Sequence, residues 1–350
     1  MLTYHPLTLI RREPLAEAAV LLEFQLPAAL APWFQFEGGQ HLPVRAVLAG
    51  QDVRRTYSIV DRGHDSLVLG VRVQGVMSQH LAALPVGATI EVMPPTGRFR
   101  AVIDATRPRS HVAFAAGSGI TPVLAIITAV LAAEPAARVA LYYGNQTLSR
   151  TMFAEALLAL KNRYLGRFTL HFLMSQEQQE LERHEGRIDA AMVRRVLASD
   201  LDSVTVDEWY VCGPDSMLAD LTGALKESGV PGRIHAERFG SRARARPAPA
   251  PLLVTDAQVV AVTVTMDGRE RHFLMDRQQS VLAAAEAAGL RLPFSCRAGI
   301  CSTCRTRVVA GAVAMERNQA LEDWEVAAGY VLCCQARPTT DKIHLTYDDI

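Results

Sequence analysis

The sequence predicts a multidomain chain, in which an antiparallel β-barrel is followed by a doubly wound α/β domain and then by a small C-terminal β domain. Three observations predict this order. Short β-type runs separated by Gly, Pro or Asp come first, strands then alternate with helices, and five of the six cysteines crowd the C-terminal end. A chain of 350 residues is also too long for one typical core, so several domains are expected.

The composition disfavours several classes of partner. Lys+Arg and Asp+Glu both number 36, so the charge gives no reason to expect nucleic acid or an anionic membrane. The most apolar run, Val123 to Ala133, is shorter than the ~18–20 residues that span a bilayer. The N-terminus lacks the pattern of a signal peptide. We therefore expect a cytoplasmic protein with reduced thiols, with no nucleic-acid or membrane partner.

The first domain, residues 1–105, is predicted to be the barrel. Its β-type runs are Leu7–Ile10, Val20–Leu26, His41–Leu48, Thr56–Val60, Ser66–Val73 and Thr89–Met93. One helical stretch, Ser78 to Leu84, interrupts them. Many short strands at this spacing are typical of an antiparallel barrel.

Two short motifs in the barrel suggest ligand binding. Arg55-Thr56-Tyr57-Ser58 puts a guanidinium and a phenol ring on one face of a strand, where they could hold a diphosphate and a flat ring side by side. Gly75-Val76-Met77-Ser78 opens the helix, and with Ser78 as its cap the helix N-terminus could bind a phosphate. Taken singly, each motif is weak, and such a motif is usually an ordinary piece of strand or helix.

The second domain, residues 106–239, is predicted to contain a parallel sheet. The apolar strand His111–Ala116 leads into Gly117-Ser118-Gly119-Ile120-Thr121-Pro122, and a helix follows to Ala133. Thr121 as N-cap and Pro122 at the first helical position predict where that helix starts. The further strands are Val139–Tyr143, Thr169–Met174 and Glu208–Cys212, each followed by a helical stretch.

Ligands of such sheets bind at the carboxyl ends of the strands, where Gly117–Pro122, Gly144-Asn145 and Cys212-Gly213-Pro214 fall. The first of these lacks the full G-x-G-x-x-G pattern, which disfavours a Rossmann dehydrogenase. Cys212 has the alternative interpretation of a buried strand thiol. Ser149-Arg150 could clamp the 2′-phosphate of NADPH, or the arginine could simply be solvated.

The Pro- and Arg-rich residues 240–255 are predicted to be an extended linker, and residues 256–350 a third domain. Val259–Met266 alternates, Asp267-Gly268 predicts a hairpin turn, and Arg271–Met275 returns. Ser280 is then the predicted cap of a helix.

The cysteines of the third domain have the spacing of a metal site. Cys296, Cys301 and Cys304 stand in C-x4-C-x2-C order, and Cys334 follows after 29 residues, as a plant-type [2Fe–2S] cluster requires. The alternatives are a zinc site or unrelated buried thiols, and a zinc ribbon needs a second C-x-x-C or a His pair. Successive strand residues face opposite sides, so only one of Cys333 and Cys334 can reach the cluster.

These motifs together resemble two known families. R-T-Y-S, G-x-G-I-T-P, C-G-P-x-x-M and the segment Pro95–Phe99 are similar to the ferredoxin–NADP reductase superfamily. The hairpin, helix and cysteine loop resemble the β-grasp fold of plant-type ferredoxins, whose G-Y-V-L-x-C-Q pattern selects Cys334 as the fourth ligand. The resemblance implies an FAD-binding barrel, an NAD(P)-binding α/β domain and a [2Fe–2S] domain.

The resemblance also implies roles for individual residues. Arg55 contacts the flavin phosphates, Tyr57 packs on the isoalloxazine, and Ser58 lies near its redox-active edge. Cys212 lies near the reacting nicotinamide carbon, and Glu237 is placed beside the flavin, unless its segment is only a final strand. The remaining expected cofactor-binding residues are Val73, Gly75, Met77, Ser78, Gly117, Gly119, Thr121, Ser149, Arg150, Gly213 and Phe239.

Within this group the chain most resembles reductases of the phenylacetyl-CoA epoxidase system. The implied function is transfer of electrons from NADPH, or alternatively NADH, through FAD and the cluster to a separate oxygenase component. No E-x-x-H pair of the di-iron type occurs in the sequence, so the oxygenase is expected to be another chain. The alternatives are another Rieske or di-iron oxygenase as acceptor, a self-contained reductase, and an iron–sulfur sensor.

Overall fold

A computed structural model of the chain describes residues 4–63, 65–179, 185–201, 205–239 and 259–348. The predicted linker at 240–255 lies outside the described residues. Two compact units are present, one comprising Tyr4–Val53 and Tyr57–Phe239, the other containing the C-terminal residues 259–348.

The first unit begins with a closed six-stranded barrel in the order β1-β2-β5-β4-β3-β6. Its elements are β1 (His5–Ala16), β2 (Ala19–Gln25), a 3-10 turn (Ala28–Leu30), β3 (His41–Leu48), β4 (Gln51–Gly63), β5 (Ser66–Arg72), α1 (Val76–Ala83) and β6 (Thr89–Val92). Alternating side chains such as Leu7 and Leu9 fill the interior around Phe24 and Phe34. The predicted barrel is thereby confirmed.

The barrel is followed by a five-stranded parallel sheet in the order β11-β10-β7-β8-β9. Its elements are β7 (Ser110–Ala116), a 3-10 turn (Gly117–Gly119), α2 (Ile120–Ala133), β8 (Arg138–Asn145), a 3-10 turn (Leu148–Arg150), α3 (Ala154–Arg163), β9 (Phe168–Met174), α4 (Ala190–Ala198), β10 (Glu208–Gly213), α5 (Asp215–Glu227) and β11 (Arg233–Arg238). Two separate apolar cores lie against this sheet, one with α2 and α3 and one with α4 and α5, so the sheet is doubly wound as predicted.

Two helix starts differ from the prediction. The N-cap of α2 is Gly119, and the Thr121 hydroxyl donates to the Ser118 carbonyl at 2.9 Å instead of capping the helix. The N-cap of α1 is Gly75, so Ser78 stands at the third helical position. Each helix follows a glycine, which has no side chain that could mark the start in the sequence. The prediction therefore assigned each cap to a nearby hydroxyl residue, which was wrong.

A buried ionic network closes the amino-terminal edge of the parallel sheet. Arg109 is 4% exposed and lies 3.1 Å from Glu134 and 2.6 Å from Glu208. His111 contacts Glu134 at 3.3 Å, and His235 contacts Glu208 at 2.7 Å. Because buried charges are stable only when paired, the network ties strands β7, β10 and β11 to the end of α2.

The second unit contains a five-stranded mixed sheet in the order β13-β12-β18-β14-β16, with a two-stranded sheet β15-β17. Its elements are β12 (Val259–Met266), β13 (Arg269–Asp276), α6 (Val281–Ala287), β14 (Arg305–Ala310), β15 (Val313–Met315), α7 (Asp323–Ala327), β16 (Tyr330–Leu332), β17 (Ala336–Pro338) and β18 (Lys342–Thr346). The predicted turn is present, since Asp267 and Gly268 have φ of 54° and 68°. Ser280 caps α6 as predicted, accepting from the Ala283 N–H at 3.3 Å.

Among the described residues, no helix combines the length and the apolar character needed to cross a membrane.

Candidate functional site

The barrel strand β4 carries the first group of expected flavin residues. Ser58 is buried, and its hydroxyl has no hydrogen-bond partner among the described residues. Tyr57 is half-buried against the barrel core, and Arg55 is exposed, its guanidinium donating to the Arg54 carbonyl at 2.7 Å. Buried hydroxyl groups in folded proteins almost always have a hydrogen-bond partner, so Ser58 fits an expected ligand contact.

The turn before α1 is closed by the Ser78 hydroxyl. That oxygen accepts from the N–H groups of Gln74 and Gly75, both at 2.9 Å, and donates to the Gly75 carbonyl at 2.9 Å. Val73 precedes this turn and Met77 is buried in the barrel core. The Ser78 side chain is therefore committed to holding the turn, and any phosphate contact there falls to the N–H groups of the first turn of α1.

Glu237 and Cys212 lie side by side on the last two strands of the parallel sheet, as partners in the β10–β11 register. One oxygen of Glu237, Oε1, lies 3.6 Å from His41 Nδ1 of the barrel. The other, Oε2, is buried without a hydrogen-bond partner in the described part of the chain. Burial raises the pKa of Glu237, and the contact with His41 offsets only part of that rise.

Cys212 is fully buried at the carboxyl end of β10. Burial first, and the Glu237 carboxylate second, raise the pKa of its thiol well above the usual value. The thiol is therefore neutral at physiological pH, which suits a group that packs beside a ligand rather than a nucleophile.

The turn after β7 has the geometry of a backbone cradle. Gly117 has φ of 54°, and a Cβ there would meet nothing within 4 Å, so the space in front of it is open. At Gly119 a Cβ would lie 2.2 Å from the Cys212 carbonyl oxygen, so only glycine permits this close approach of two strand ends. A Cβ at Gly213 would meet the Met217 side chain at 2.9 Å.

The carboxyl end of β8 presents another unpartnered polar group. Asn145 is buried, and its Nδ2 has no hydrogen-bond partner among the residues described. It lies one strand away from the Gly117 cradle, at the edge where doubly wound sheets bind ligands.

Ser149 and Arg150 both contact Glu17, a barrel residue that no motif in the sequence indicated. The Ser149 hydroxyl donates to Glu17 Oε2 at 3.0 Å, and Arg150 lies 2.9 Å from Glu17 Oε1. Buried Arg72 donates to the Glu17 carbonyl at 2.9 Å and to the Arg150 carbonyl at 2.7 Å. The β1–β2 hairpin is thus fastened to the loop after β8.

Phe239 follows β11 directly and is 37% exposed. It therefore adds an exposed ring next to the strand that carries Glu237.

In the second unit the four expected ligand thiols are gathered together. The Ala298 N–H donates to Cys296 Sγ at 3.3 Å, the Cys296 N–H to Cys301 Sγ at 3.5 Å, and Gln335 Nε2 to Cys334 Sγ at 3.6 Å. Contacts with the thiols of Cys301 and Cys334 hold the pKa of Cys296 well below its usual range. Sulfurs in mutual contact, with N–H groups directed at them, fit the donor set of an iron–sulfur cluster.

The tight loop around these thiols requires unusual backbone angles. Arg297, Gly299 and Ser302 have φ of 54°, 76° and 51°. Arg297 is held in this conformation by Glu286, which it contacts at 2.7 and 2.9 Å, and its carbonyl accepts from Gln335 at 3.0 Å. The strained turn is therefore stabilised from both sides.

Cys333 has a different environment from its neighbour. Its thiol is fully buried and accepts from the Tyr347 hydroxyl at 3.1 Å. Its backbone N–H donates to the Cys304 carbonyl at 3.1 Å, and its carbonyl accepts from the Leu282 N–H at 3.0 Å. Cys333 thus anchors the main chain beneath the loop, while Cys334 contacts the thiols of Cys296 and Cys304.

Two residues of the first unit were missed by the sequence reasoning. Glu17 and His41 act on residues far along the chain, and neither belongs to a motif. The one signal for His41 is Gly97, where a Cβ would lie 2.9 Å from its Nδ1, so the glycine of Pro95-Thr96-Gly97 makes room for the imidazole.

Three domain families match the chain in sequence. They are the oxidoreductase FAD-binding domain at residues 6–101, the oxidoreductase NAD-binding domain at 114–222 and the 2Fe-2S iron-sulfur cluster binding domain at 264–339. The first match covers the barrel, the second covers most of the domain with the parallel sheet, and the third includes the cysteine loop.

Relatives of known function match almost the whole chain. The 1,2-phenylacetyl-CoA epoxidase of Escherichia coli (strain K12) has a subunit that is 39% identical, with 99% of both chains covered. The ferredoxin reductase component of 3-ketosteroid-9-alpha-monooxygenase from Rhodococcus rhodochrous is 32% identical, over 93% of this chain and 91% of the relative. Among solved structures, phthalate dioxygenase reductase has the same fold, with a TM-score of 0.57 at 23% identity over 98% of both chains.

Proposed function

The chain belongs to the family of ferredoxin–NADP reductase-like oxygenase reductases with a C-terminal [2Fe–2S] domain, and on that premise we propose that it supplies electrons to a phenylacetyl-CoA 1,2-epoxidase. It is an NAD(P)H-dependent oxidoreductase with domains for FAD, a pyridine nucleotide and a [2Fe–2S] cluster. The observation that carries the choice of acceptor is the 39% identity, end to end, with a subunit of that epoxidase.

The cofactors supply the electron chemistry, since bound FAD can take a hydride from the nicotinamide and release electrons singly to a one-electron cluster. The residues of this chain bind and orient these groups. In the proposal Arg55, Tyr57 and Ser58 hold the flavin, together with Val73, Gly75, Met77 and Ser78 around the first turn of α1. Phe239 and Glu237 stand beside it at the end of β11. Cys296, Cys301, Cys304 and Cys334 hold the cluster.

The nucleotide is proposed to bind at the carboxyl edge of the parallel sheet. Gly117, Gly119 and Thr121 line the pyrophosphate and nicotinamide, with Cys212 and Gly213 beside the reacting carbon. We propose NADPH as the preferred donor, with Ser149 and Arg150 contacting its 2′-phosphate. This requires the phosphate to displace the Glu17 carboxylate from the Arg150 guanidinium, because both anions compete for the same cation.

A cytoplasmic location is part of the proposal, since the reducing cytosol keeps the ligand cysteines as thiols.

The first test is an anaerobic visible spectrum of the purified chain, before and after addition of NADPH, with NADH in parallel. We expect flavin and iron–sulfur bands that both bleach, faster with NADPH. Cluster bands without flavin, or no bleaching by either nucleotide, would contradict the reductase function and leave an iron–sulfur sensor as the better description.

The acceptor needs a second test. The chain is combined with the purified catalytic component of a phenylacetyl-CoA epoxidase, NADPH, O2 and phenylacetyl-CoA, and the epoxide product is measured. We expect product formation that depends on the chain. The matched control replaces the epoxidase with the oxygenase component of 3-ketosteroid-9-alpha-monooxygenase and its steroid. Turnover of the steroid without turnover of phenylacetyl-CoA would assign the chain to another multicomponent oxygenase.

A further inference from the structure

The reaction proposed above leaves a proton to be disposed of in a buried place. Oxidation of one NADPH gives NADP+, two electrons and one proton. The electrons leave singly through the cluster, so the proton must leave by a separate route. This inference rests on the proposed function, because only a hydride donor brings the proton into the site.

The first unit contains a row of three polar side chains, Glu237, His41 and Thr96, which begins where the proton is expected. Glu237 Oε2 is buried and unpartnered in the described structure, and Oε1 of the same carboxyl lies 3.6 Å from His41 Nδ1. The opposite nitrogen, His41 Nε2, lies 3.2 Å from the Thr96 hydroxyl. The three side chains bridge β11 of the parallel sheet and the barrel.

The imidazole is the most buried member of the set. The side chains of His41 and Glu237 are 6% and 13% exposed, and Thr96 is half-buried like Glu237. Thr96 lies on the segment that leaves the barrel after β6, and its hydroxyl ends the set on the side of the imidazole opposite to Glu237. The set therefore joins the Glu237 carboxyl, through a buried ring, to a hydroxyl on another segment of the chain.

The position of the imidazole is fixed from several sides. The main chains of His41 and Thr96 pair with each other, N–H to carbonyl in both directions, at 2.8 and 2.9 Å. Gly97 makes room for the ring, because a Cβ there would lie 2.9 Å from Nδ1 and 3.0 Å from Cε1. Such a rigid setting is costly for a side chain that only fills space, since an apolar residue would need neither partner.

We propose that His41 is the residue that carries the proton out of the flavin site. Glu237 takes up the proton of the hydride, which is left in the site once both electrons have gone, and passes it to His41 Nδ1. The imidazole then loses a proton from Nε2 through the Thr96 hydroxyl to solvent. The carboxylate is regenerated, and one proton leaves for each pair of electrons. Proton transfer across the 3.6 Å contact requires it to shorten to hydrogen-bond length, as catalytic contacts often do on substrate binding.

The test compares the purified chain with its His41→Gln variant, because glutamine can still bond to Thr96 and Glu237 but cannot carry a proton. Less than one equivalent of NADPH per protein is mixed with excess ferricyanide in weak buffer, so that each molecule turns over at most once and a proton held in the site appears late in solution. Proton release is followed with an indicator dye, and NADPH loss by its own absorbance. We expect NADPH loss to change less than about twofold, and proton release to slow by at least about tenfold, with a larger solvent deuterium isotope effect.

Further variants separate transport from structure. Thr96→Val keeps the pairing of the main chains and removes the hydroxyl that ends the set, so it is expected to slow proton release while leaving flavin content unchanged. His80→Gln, in the same barrel and outside this set, is expected to behave like the parent chain. As a readout independent of turnover, the ¹⁵N-histidine spectrum of the purified protein is expected to show a His41 resonance that moves in Glu237→Gln.

The outcomes distinguish this inference from the function on which it rests. Absence of any bleaching by NADPH contradicts the proposed function itself. Normal bleaching, with proton release in both His41→Gln and Thr96→Val as fast as in the parent chain, overturns the proton route alone. A His41 resonance that does not respond to Glu237→Gln also overturns it, since the two side chains are then not coupled.

Discussion

Nucleotide selectivity is open to a quantitative test through Arg150, because the structure gives this residue a competitor. Its guanidinium lies 2.9 Å from Glu17, and the two side chains are 35% and 55% exposed. An ion pair this exposed contributes about 0–1 kcal/mol. A hydrogen bond between charged groups, such as guanidinium to 2′-phosphate, contributes about 1.5–3 kcal/mol. The phosphate is therefore expected to displace Glu17.

The difference between these contributions sets the expected effects. Arg150→Ala removes about 0.5–3 kcal/mol of net NADPH binding, which corresponds to roughly a 2- to 150-fold loss in kcat/KM. NADH has no 2′-phosphate, so its kcat/KM is expected to stay within about twofold. Glu17→Gln removes the competing charge and is expected to raise kcat/KM for NADPH by up to about fivefold.

The assay is ferricyanide reduction at saturating flavin, with each nucleotide varied in turn. Arg138→Ala is the matched control, because Arg138 is an exposed arginine at the start of β8, whereas Arg150 lies in the turn that follows the end of that strand. Flavin content and melting temperature of each variant show whether the contact between the β1–β2 hairpin and the loop is lost. Equal losses with NADPH and NADH in Arg150→Ala would refute the reasoning and make Ser149 and Arg150 purely structural.

Three further outcomes are expected. Cys334→Ser should lose the visible cluster bands and Cys333→Ser should keep them, because the Cys333 thiol is bonded to a tyrosine; the opposite pattern would exchange their roles. Arg109→Met should destabilise the folded chain by about 3–5 kcal/mol in urea titration, whereas Arg107→Met removes only an exposed ion pair and should have a clearly smaller effect; equal effects would contradict a buried network. Gly119→Ala should abolish bleaching by either nucleotide with the flavin still bound, because a methyl group there meets a carbonyl oxygen at 2.2 Å; unchanged bleaching would contradict this tight approach.

The sequence predicted well what depends on neighbours along the chain. Apolar and polar side chains alternate in strands such as β12, and after β6 the pattern changes to strands alternating with helices. These two patterns predict the fold class. Three of the four proposed ligand cysteines lie within nine residues, so their spacing alone predicts the loop. The hairpin turn at Asp267-Gly268 follows from the same kind of local requirement.

What depends on folding could not be predicted in the same way. The contacts of Glu17 with Arg150 and of His41 with Glu237 join residues of the barrel to residues of the α/β domain, and neither Glu17 nor His41 lies in a motif. The prediction that Thr121 caps α2 was also wrong, since the cap is Gly119. Short-range capping rules compete there with the close approach of Gly119 to Cys212, which only the assembled sheet creates.

The order of the elements along the chain has a consequence for engineering. Glu237 stands on β11, the last strand of its unit, and every contact of the proton route is made by residues that precede it. A protein cut after Phe239 would keep the residues of the proposed route together with the turn at Gly117, and would lose the domain that carries the cysteine loop. If a different electron carrier were joined to this end of the chain, we expect the electrons to reach a different acceptor. The residues of the barrel and of the parallel sheet would not have to be redesigned.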